Sequence, residues 1–420
     1  MNPIEPSGHV PASGHWRRLW QRVRAYLPDV AAFFGALLAA GVAALLTGSL
    51  GGCGGGVGTE GTGSFASGSI SGFGSIVVNG VHFDESSARV EDEDGLLQNR
   101  SALALGMVVQ VSAGPLGSAA DGTPVATATL VRSSRALQGP LTAVDAGLSR
   151  LVLLGQRVQL SADTVVDPRL VGGLAGLLPG QWLEVYGFYD AAAAAYAASR
   201  IAPAARSDSY RVSGPVAAVD AVRKTFTIGS QTYRYDQVAQ PAGLDNGALL
   251  NLVLQPAPDG NGRWLVSAQS TPAPAPQERD GAELHGRVSA LLSASRFVVD
   301  GVTVDASGAT VSGTLQAGAQ VAVSGALRGG VLVAGKVSVE PAGKLKTYEL
   351  RGTVQTLDLA GRRLVLRDGV RDTAVSLARA DLVFDKGRLS DLAVGRRVRV
   401  QGLLSADRTL VEATQVRFDD

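Results

Sequence analysis

The sequence is poor in the residues from which many catalytic and metal sites are built. It contains one cysteine, Cys53, and four histidines, of which only His82 and His285 follow that cysteine. A single cysteine excludes an intramolecular disulfide and a cysteine-based zinc cluster. Two histidines argue against a multi-histidine metal site in residues 53–420. We therefore expect no metal ion and no cofactor.

Aromatic residues and a basic excess are also missing. Phe, Trp and Tyr make up 5% of the chain, which leaves few rings on which bases or sugars could stack. The chain has 38 basic and 37 acidic side chains, and four of the basic and two of the acidic ones lie in residues 1–52. Residues 53–420 therefore hold 34 basic and 35 acidic side chains. A nucleic-acid-binding protein needs basic side chains to neutralise phosphates. The composition therefore argues against nucleic acid as a partner.

The N-terminal 52 residues have the order of an export signal. Four arginines between positions 17 and 24 precede the apolar run 31–50, which carries no charge. A basic flank followed by an apolar core is typical of a signal peptide. An uncleaved transmembrane anchor is the alternative, because about 20 apolar residues can span a bilayer. Either interpretation leaves the arginines in the cytoplasm and the rest of the chain outside the inner membrane.

Leu50-Gly51-Gly52-Cys53 follows the apolar run and resembles the lipobox of bacterial lipoproteins. The resemblance implies cleavage between Gly52 and Cys53 and attachment of a diacylglycerol to the Cys53 thiol. Several acyl chains anchor stably where one chain is marginal. Gly54 follows the cysteine, and in such lipoproteins a residue other than aspartate there implies transfer to the outer membrane, facing the periplasm or the surface.

From Gly68 onward the chain is built from five copies of one pattern. Each copy opens on a glycine, followed two positions later by isoleucine, leucine or valine. These openers are Gly68, Gly139, Gly214, Gly286 and Gly352, spaced by 71, 75, 72 and 66 residues. A β-forming run broken by turn residues comes next and predicts a hairpin in each copy. Asn79-Gly80, Asp300-Gly301 and Asp368-Gly369 suit two-residue type I′ turns, which need positive φ at both residues.

A second glycine in each copy precedes a strand with alternating apolar residues. These glycines are Gly106, Gly180, Gly247, Gly318 and Gly395. One more β-forming segment closes each copy, which gives about five strands in roughly 70 residues and no long helical pattern after residue 50. A closed barrel hides sheet edges at this size. We predict an all-β tandem array of small OB-like β-barrels, with a two-sheet sandwich as the alternative.

These patterns divide the chain into seven parts. The predicted boundaries are 1–52 for the signal segment, 53–66 for a glycine-rich tether, and 67–133, 134–206, 207–272, 273–345 and 346–420 for the five repeats. The proline-rich stretch 271–282 is expected to be an extended linker before the fourth repeat.

The first repeat carries a resemblance to a known family. GSISGFGSIVVNGVHFD at 68–84, followed by LALGMVVQV and ATATLV, is similar to the bacterial family called domain of unknown function 5666. The later repeats keep the spacing of glycines and strands but lack GFGS. Over all five repeats the similarity spans about residues 68–418. It implies a repeat-bearing envelope lipoprotein and brings no catalytic residues.

Two short stretches resemble ligand-binding motifs, one for phosphate and one for Ca²⁺, but each has a simpler structural interpretation. GFGSIV lacks the third glycine of a dinucleotide fingerprint, with Val77 in its place and no helix after it, so a strand bend is the prediction. The acidic run EDEDG at 91–95 offers oxygen ligands for Ca²⁺ but lacks the spacing of a full calcium loop, so a solvated turn is predicted.

Two further groups of residues suggest a catalytic site and a sugar-binding site, and each has a simpler explanation. His82 stands near Asp84 without a recognisable serine nucleophile, which favours an exposed strand histidine. Trp182, Tyr186 and Tyr189 could form a sugar-binding face, or the two residues with even spacing could belong to the core.

The sequence as a whole predicts a non-enzymatic, lipid-anchored protein of the bacterial envelope. Its five barrels would serve binding or structural roles, with envelope polysaccharide or protein as partners beyond the membrane itself. The alternative is an envelope enzyme acting on glycans, which would need an acid pair or nucleophile confined to one repeat. The sequence offers no clear candidate for either.

Overall fold

The computed structural model describes residues 63–270, 278–299, 302–341 and 345–419. Their regular structure is β-strand, interrupted by single turns of 3-10 helix at Arg100–Ala102, Gly173–Gly176 and Leu389–Asp391. Within these ranges no helix is long and apolar enough to cross a membrane. The predicted all-β fold is confirmed.

The first three barrels follow one another along the chain. Barrel 1 contains β1 (Ser64–Phe73), β2 (Ile76–Val78), β3 (Val81–Asp84), β4 (Arg89–Glu91), β5 (Val108–Ala113), β6 (Gly117–Ser118) and β7 (Pro124–Ser133). Barrel 2 contains β8 (Leu137–Asp145), β9 (Arg150–Leu153), β10 (Gln156–Val166), β11 (Trp182–Asp190) and β12 (Ala195–Pro203). Barrel 3 contains β13 (Tyr210–Asp220), β14 (Thr225–Ile228), β15 (Gln231–Arg234), β16 (Leu249–Leu254) and β17 (Trp264–Gln269).

Two more barrels complete the described chain. Barrel 4 contains β18 (Glu278–Leu291), β19 (Arg296–Val299), β20 (Val302–Asp305), β21 (Thr310–Ser312), β22 (Gln320–Arg328) and β23 (Val331–Val339). Barrel 5 contains β24 (Tyr348–Asp358), β25 (Arg363–Arg367), β26 (Asp372–Ser376), β27 (Val383–Asp385), β28 (Arg397–Leu404) and β29 (Val411–Phe418). Residues 271–277 of the predicted linker lie outside the described ranges, and its last five residues already belong to β18.

All five barrels close in the same way. In barrel 1, β1 pairs antiparallel with β2, and β2 pairs antiparallel with β3. Strand β3 then runs parallel to β7. Strand β5 closes the barrel, because it pairs antiparallel with both β7 and β1. The corresponding strands of the other four barrels repeat this order. It is the strand order of an OB barrel, and closure leaves few free edges in a small domain. The OB-like prediction is therefore confirmed.

The glycine before the fourth main strand has one conformation in every barrel. Its φ lies between +79° and +89° in all five copies, a region that glycine enters without steric cost. The five residues are Gly106, Gly180, Gly247, Gly318 and Gly395. The predicted tight turn is confirmed, and its φ explains the recurrence of glycine.

The hairpin turns agree with the sequence only in part. Asn79 and Gly80 have φ of +55° and +79°, as a type I′ turn requires. Asp300-Gly301 lies outside the described residues. The two-residue turn predicted at Asp368-Gly369 is wrong, because four residues separate β25 from β26. The Asp368 carboxylate accepts the backbone N–H of Arg371 at 2.9 Å and stabilises the longer loop.

The barrels share sheets and cores, so they form one body. The first half of β1 pairs with β5 along one edge and runs parallel to β18 along the other. Its end pairs with β2 and runs parallel to β24. Barrels 1, 4 and 5 are thereby joined through one strand, while β8 pairs with β13 and joins barrels 2 and 3. The strand β1 is the hub of the assembly.

We expect Gly72→Ala to weaken this hub. A Cβ at Gly72 would lie 2.4 Å from the carbonyl oxygen of Glu349 and 2.7 Å from Cγ2 of Val77. Forced overpacking of this kind costs about 1–3 kcal/mol. Urea unfolding should show this loss, whereas Gly308→Ala, whose Cβ would meet nothing within 4 Å, should change stability little. Equal stability of the two variants would contradict the account.

Candidate functional site

The GFGS motif at 72–75 forms the turn from β1 to β2 and faces barrel 5. A Cβ at Gly72 would meet the Glu349 carbonyl, as described above. Gly74 has φ of +113°, and a Cβ there would lie 2.5 Å from Cβ of Arg351. Both glycines therefore let β24 approach the backbone of barrel 1. We call residues 72–75 the docking corner; it is a strand bend, and no helix begins there to make it a phosphate loop.

Phe73 completes the docking corner with its ring. The guanidinium carbon of Arg371, from the loop between β25 and β26, lies 4.0 Å from the ring centroid. Arg371 also donates to Glu85 Oε1 at 2.5 Å and to the carbonyl of Arg100 at 2.8 Å. The Arg371 and Glu85 side chains are only 7% and 6% exposed. A cation over a ring gains most when both are shielded from water, so this contact is a strong link between barrels 1 and 5.

His82 lies beside the docking corner and is half-buried, because barrel 5 covers it; the prediction of an exposed histidine is wrong. Its Nδ1 lies 3.2 Å from Ser75 Oγ, and its Nε2 lies 3.7 Å from Glu349 Oε1. Burial lowers the pKa of His82 from its usual 6.5. Asp84 turns away and accepts the backbone N–H of Ser86 at 2.9 Å. The sequence missed the serine because a turn separates it from His82.

The distances define what this group can do. A serine next to a histidine is the first element of an activated nucleophile, which also needs a third group to orient the histidine. Glu349 stands beyond hydrogen-bond distance of Nε2, and Arg399 Nε lies 3.5 Å from the same carboxylate oxygen. The arrangement is a polar contact in which His82 of barrel 1 lies against the Arg399–Glu349 pair of barrel 5.

The acidic run at 91–95 is bound by arginines. Glu91 pairs with Arg132 at 2.6 Å, within barrel 1. Glu93 pairs with Arg135 at 2.6 Å, and Asp94 accepts from Arg211 of barrel 3 at 3.0 Å. The described residues contain no group of acidic, histidine or cysteine side chains arranged to hold a metal ion. The run is thus not a solvated turn but a clamp between barrels.

The three aromatic residues of barrel 2 do not form one open face. Tyr186 is 3% exposed and packs into the core cluster of barrels 1 and 5. Trp182 instead meets the ring of Tyr210 edge-on, with centroids 5.2 Å apart. Tyr189 contacts Tyr196 in the same manner at 5.2 Å. The spacing placed Trp182 and Tyr186 on one face of β11 correctly, but barrel 1 covers part of that face.

Tyr189 and Phe188 do reach a crevice where four barrels meet. It encloses about 50 Å³ and is also lined by Gln110 of barrel 1, Ser213 of barrel 3 and Ser289 of barrel 4. The lining combines half-buried rings with hydroxyl and carboxamide groups, and it includes one charged side chain, Arg135, which pairs with Glu93. This is the pairing of an apolar wall with a few polar groups that small-molecule sites use. The crevice suits part of a neutral polar ligand such as a sugar ring.

A lysine links three barrels close to the hub. Nζ of Lys346 donates to Ser69 Oγ at 2.6 Å, and its backbone N–H donates to Asp163 Oδ1 of barrel 2 at 2.8 Å. The hydroxyl of Tyr348 donates to the Asp163 carbonyl at 2.8 Å. Burial lowers the pKa of Lys346 from 10.5 to about 8. No pattern in the sequence points to this residue.

The residues predicted to carry the lipid and the cleavage site, Cys53 and Gly52, lie outside the described residues. Their role stays a prediction.

The fold and its contacts define a protein of tandem OB-like barrels fused into one body. Three segments, residues 138–202, 285–338 and 351–417, match the family described as "Domain of unknown function (DUF5666)". The chain therefore carries domains of this family, in barrels 2, 4 and 5. Barrel 1, where the sequence resemblance was strongest, is not among these segments. No curated protein matches this sequence.

The stability of the wild type relative to Lys346→Met should increase as the pH rises from about 8 towards 10.5. Below about pH 8 the ammonium is protonated in the folded and the unfolded chain, so folding bears the full cost of burying it. Above that pH the unfolded chain binds more protons, so stability rises with pH. The lowered pKa corresponds to roughly 3 kcal/mol over the whole interval.

Urea unfolding of both proteins at several pH values across this interval would measure the difference. Ionisation of buried tyrosines affects both proteins alike and cancels in the comparison. A stability difference that stays constant with pH would contradict the assignment.

Proposed function

We propose that this protein is a non-enzymatic, lipid-anchored component of the bacterial envelope that uses its fused barrels to bind a partner. The observation that carries the proposal is the order at the N-terminus: arginines, an uncharged apolar run, and Leu50-Gly51-Gly52-Cys53. In this proposal the Cys53 thiol carries the lipid and holds the barrels at the outer membrane.

The tether sets how far the barrels can stand from the membrane. Ten residues separate Cys53 from β1, which begins at Ser64. An extended chain covers at most about 3.5 Å per residue, so the hub strand would lie within about 40 Å of the lipid. Since β1 also joins barrels 4 and 5, anchoring one end of this strand would hold the whole assembly near the membrane.

The crevice between the barrels supports a binding role. It gathers side chains from four barrels, so it exists only in the fused assembly. Its rings and neutral polar groups suit a glycan of the envelope better than a charged metabolite, because the one charged lining residue, Arg135, is already paired with Glu93. Ser75 and His82 are assigned a structural role in this proposal, because Glu349 is shared with Arg399 and stands 3.7 Å from the histidine.

Lipid attachment can be tested by metabolic labelling. Cells given a radioactive fatty acid should incorporate label into the wild-type protein and not into Cys53→Ser. Because lipidation precedes cleavage, the wild type should be shorter than its precursor by the 52-residue signal segment, whereas Cys53→Ser should keep that segment. Equal labelling of both proteins would refute the lipoprotein assignment, and an unlabelled wild type that keeps its N-terminal segment would favour the uncleaved anchor.

The non-enzymatic binding role has a separate test. The full chain, purified in detergent, should retain fragments of envelope glycans on an array and leave them chemically intact. Mass spectrometry of the recovered glycans checks this. Cleavage of a glycan that depends on Ser75 or His82 would overturn the proposal and favour an envelope enzyme.

A further inference from the structure

Two neighbouring strands of barrel 5 place arginine opposite arginine and glutamine opposite glutamine. Arg399 of β28 is the direct partner of Arg417 of β29, and Gln401 is the partner of Gln415. Residues two apart on a strand point to the same face, so the four side chains form a square on the outside of the barrel. We call it the Arg–Gln square.

The four side chains enclose a space of their own. They line a cavity of about 60 Å³ that contains no other lining residue. Every group in the lining can donate hydrogen bonds, and none is negatively charged. Among the residues that the structure describes, neither carboxamide of the square has a hydrogen-bond partner. The cavity therefore presents free donors and positive charge at one point.

The two arginines are only weakly compensated by acids of the protein. Nε of Arg399 is buried without a hydrogen-bond acceptor in the described chain, and its nearest carboxylate oxygen, on Glu349, is 3.5 Å away. Its Nη1 lies 3.3 Å from Asp121. Arg417 lies 3.5 Å from Asp385, and both of these side chains are about 40% exposed. The exposed pair of Arg417 with Asp385 contributes little at this distance.

The fold itself does not require this arrangement. Like charges directly opposite each other in a sheet are destabilising. In barrel 4 the positions that correspond to the two arginines carry Ala322 and Ser338, which pair in the same register between β22 and β23. A closed barrel of this kind therefore forms without arginines there, so closure of barrel 5 does not explain the square.

We propose that the Arg–Gln square binds the carboxylate groups of an acidic polysaccharide. Guanidinium groups bind carboxylates through paired, charge-assisted hydrogen bonds. The glutamine carboxamides both donate and accept, so they can also bind the hydroxyl groups beside a sugar carboxylate. This inference rests on the proposed binding function and specifies its partner. Nucleic acid is the weaker fit, because the exported part of the chain has no basic excess.

Binding of polygalacturonate to the full chain in detergent tests the proposal. The double variant Arg399→Gln with Arg417→Gln should bind about ten- to a hundredfold more weakly, since each lost partner made hydrogen bonds to a charged group. The matched control removes two exposed arginines elsewhere, Arg206→Gln with Arg363→Gln, and should bind like the wild type. Added salt should weaken wild-type binding.

Competitors distinguish the other outcomes. Neutral dextran should not compete. If inorganic phosphate competes as well as the polymer at equal concentration of charge, the square is a general anion site and the polysaccharide proposal is wrong. Preference for single-stranded DNA, or equal loss of binding in the control, also overturns it. None of these results depends on Cys53, so fatty-acid labelling would still decide the anchor separately.

Discussion

Close approach of backbones at β1 is the constraint on which the rest of the structure depends. This strand uses both edges for pairing, first between β5 and β18 and then between β2 and β24. Such contact brings main-chain atoms together without side chains between them, which glycine at Gly72 and Gly74 permits. Because one strand satisfies the edges of three barrels, five small domains that would be marginal alone share one framework.

Charged groups fix the barrels in place around this hub. Arg371 between Phe73 and Glu85 ties barrel 5 to barrel 1, and Arg211 with Asp94 ties barrel 3 to barrel 1. Removing one partner of the buried Arg371–Glu85 pair would leave an uncompensated charge, so this contact favours one arrangement of barrels 1 and 5 over others. The Arg–Gln square on barrel 5 differs from them, because its arginines meet carboxylates only at 3.3 Å or more and its glutamine side chains have no hydrogen-bond partner among the described residues.

The repeated unit could be predicted almost completely from the sequence. Alternating apolar residues, the glycine at φ near +80° and the Asn79-Gly80 turn are local features, and local features repeat in the sequence when the structure repeats. The turn at Asp368-Gly369 escaped prediction because Arg371, two residues further on, is held by barrel 1 and by Asp368 itself.

The sequence by itself determined the all-β class and the OB-like strand order of each barrel, since both depend on residue patterns within about 70 positions. Tertiary structure alone decided what GFGS does, why His82 is half-buried and which side chains meet in the crevice and in the square. These contacts join residues up to several hundred positions apart, such as Ser69 with Lys346. No periodicity encodes them, because they depend on how closed barrels pack against each other.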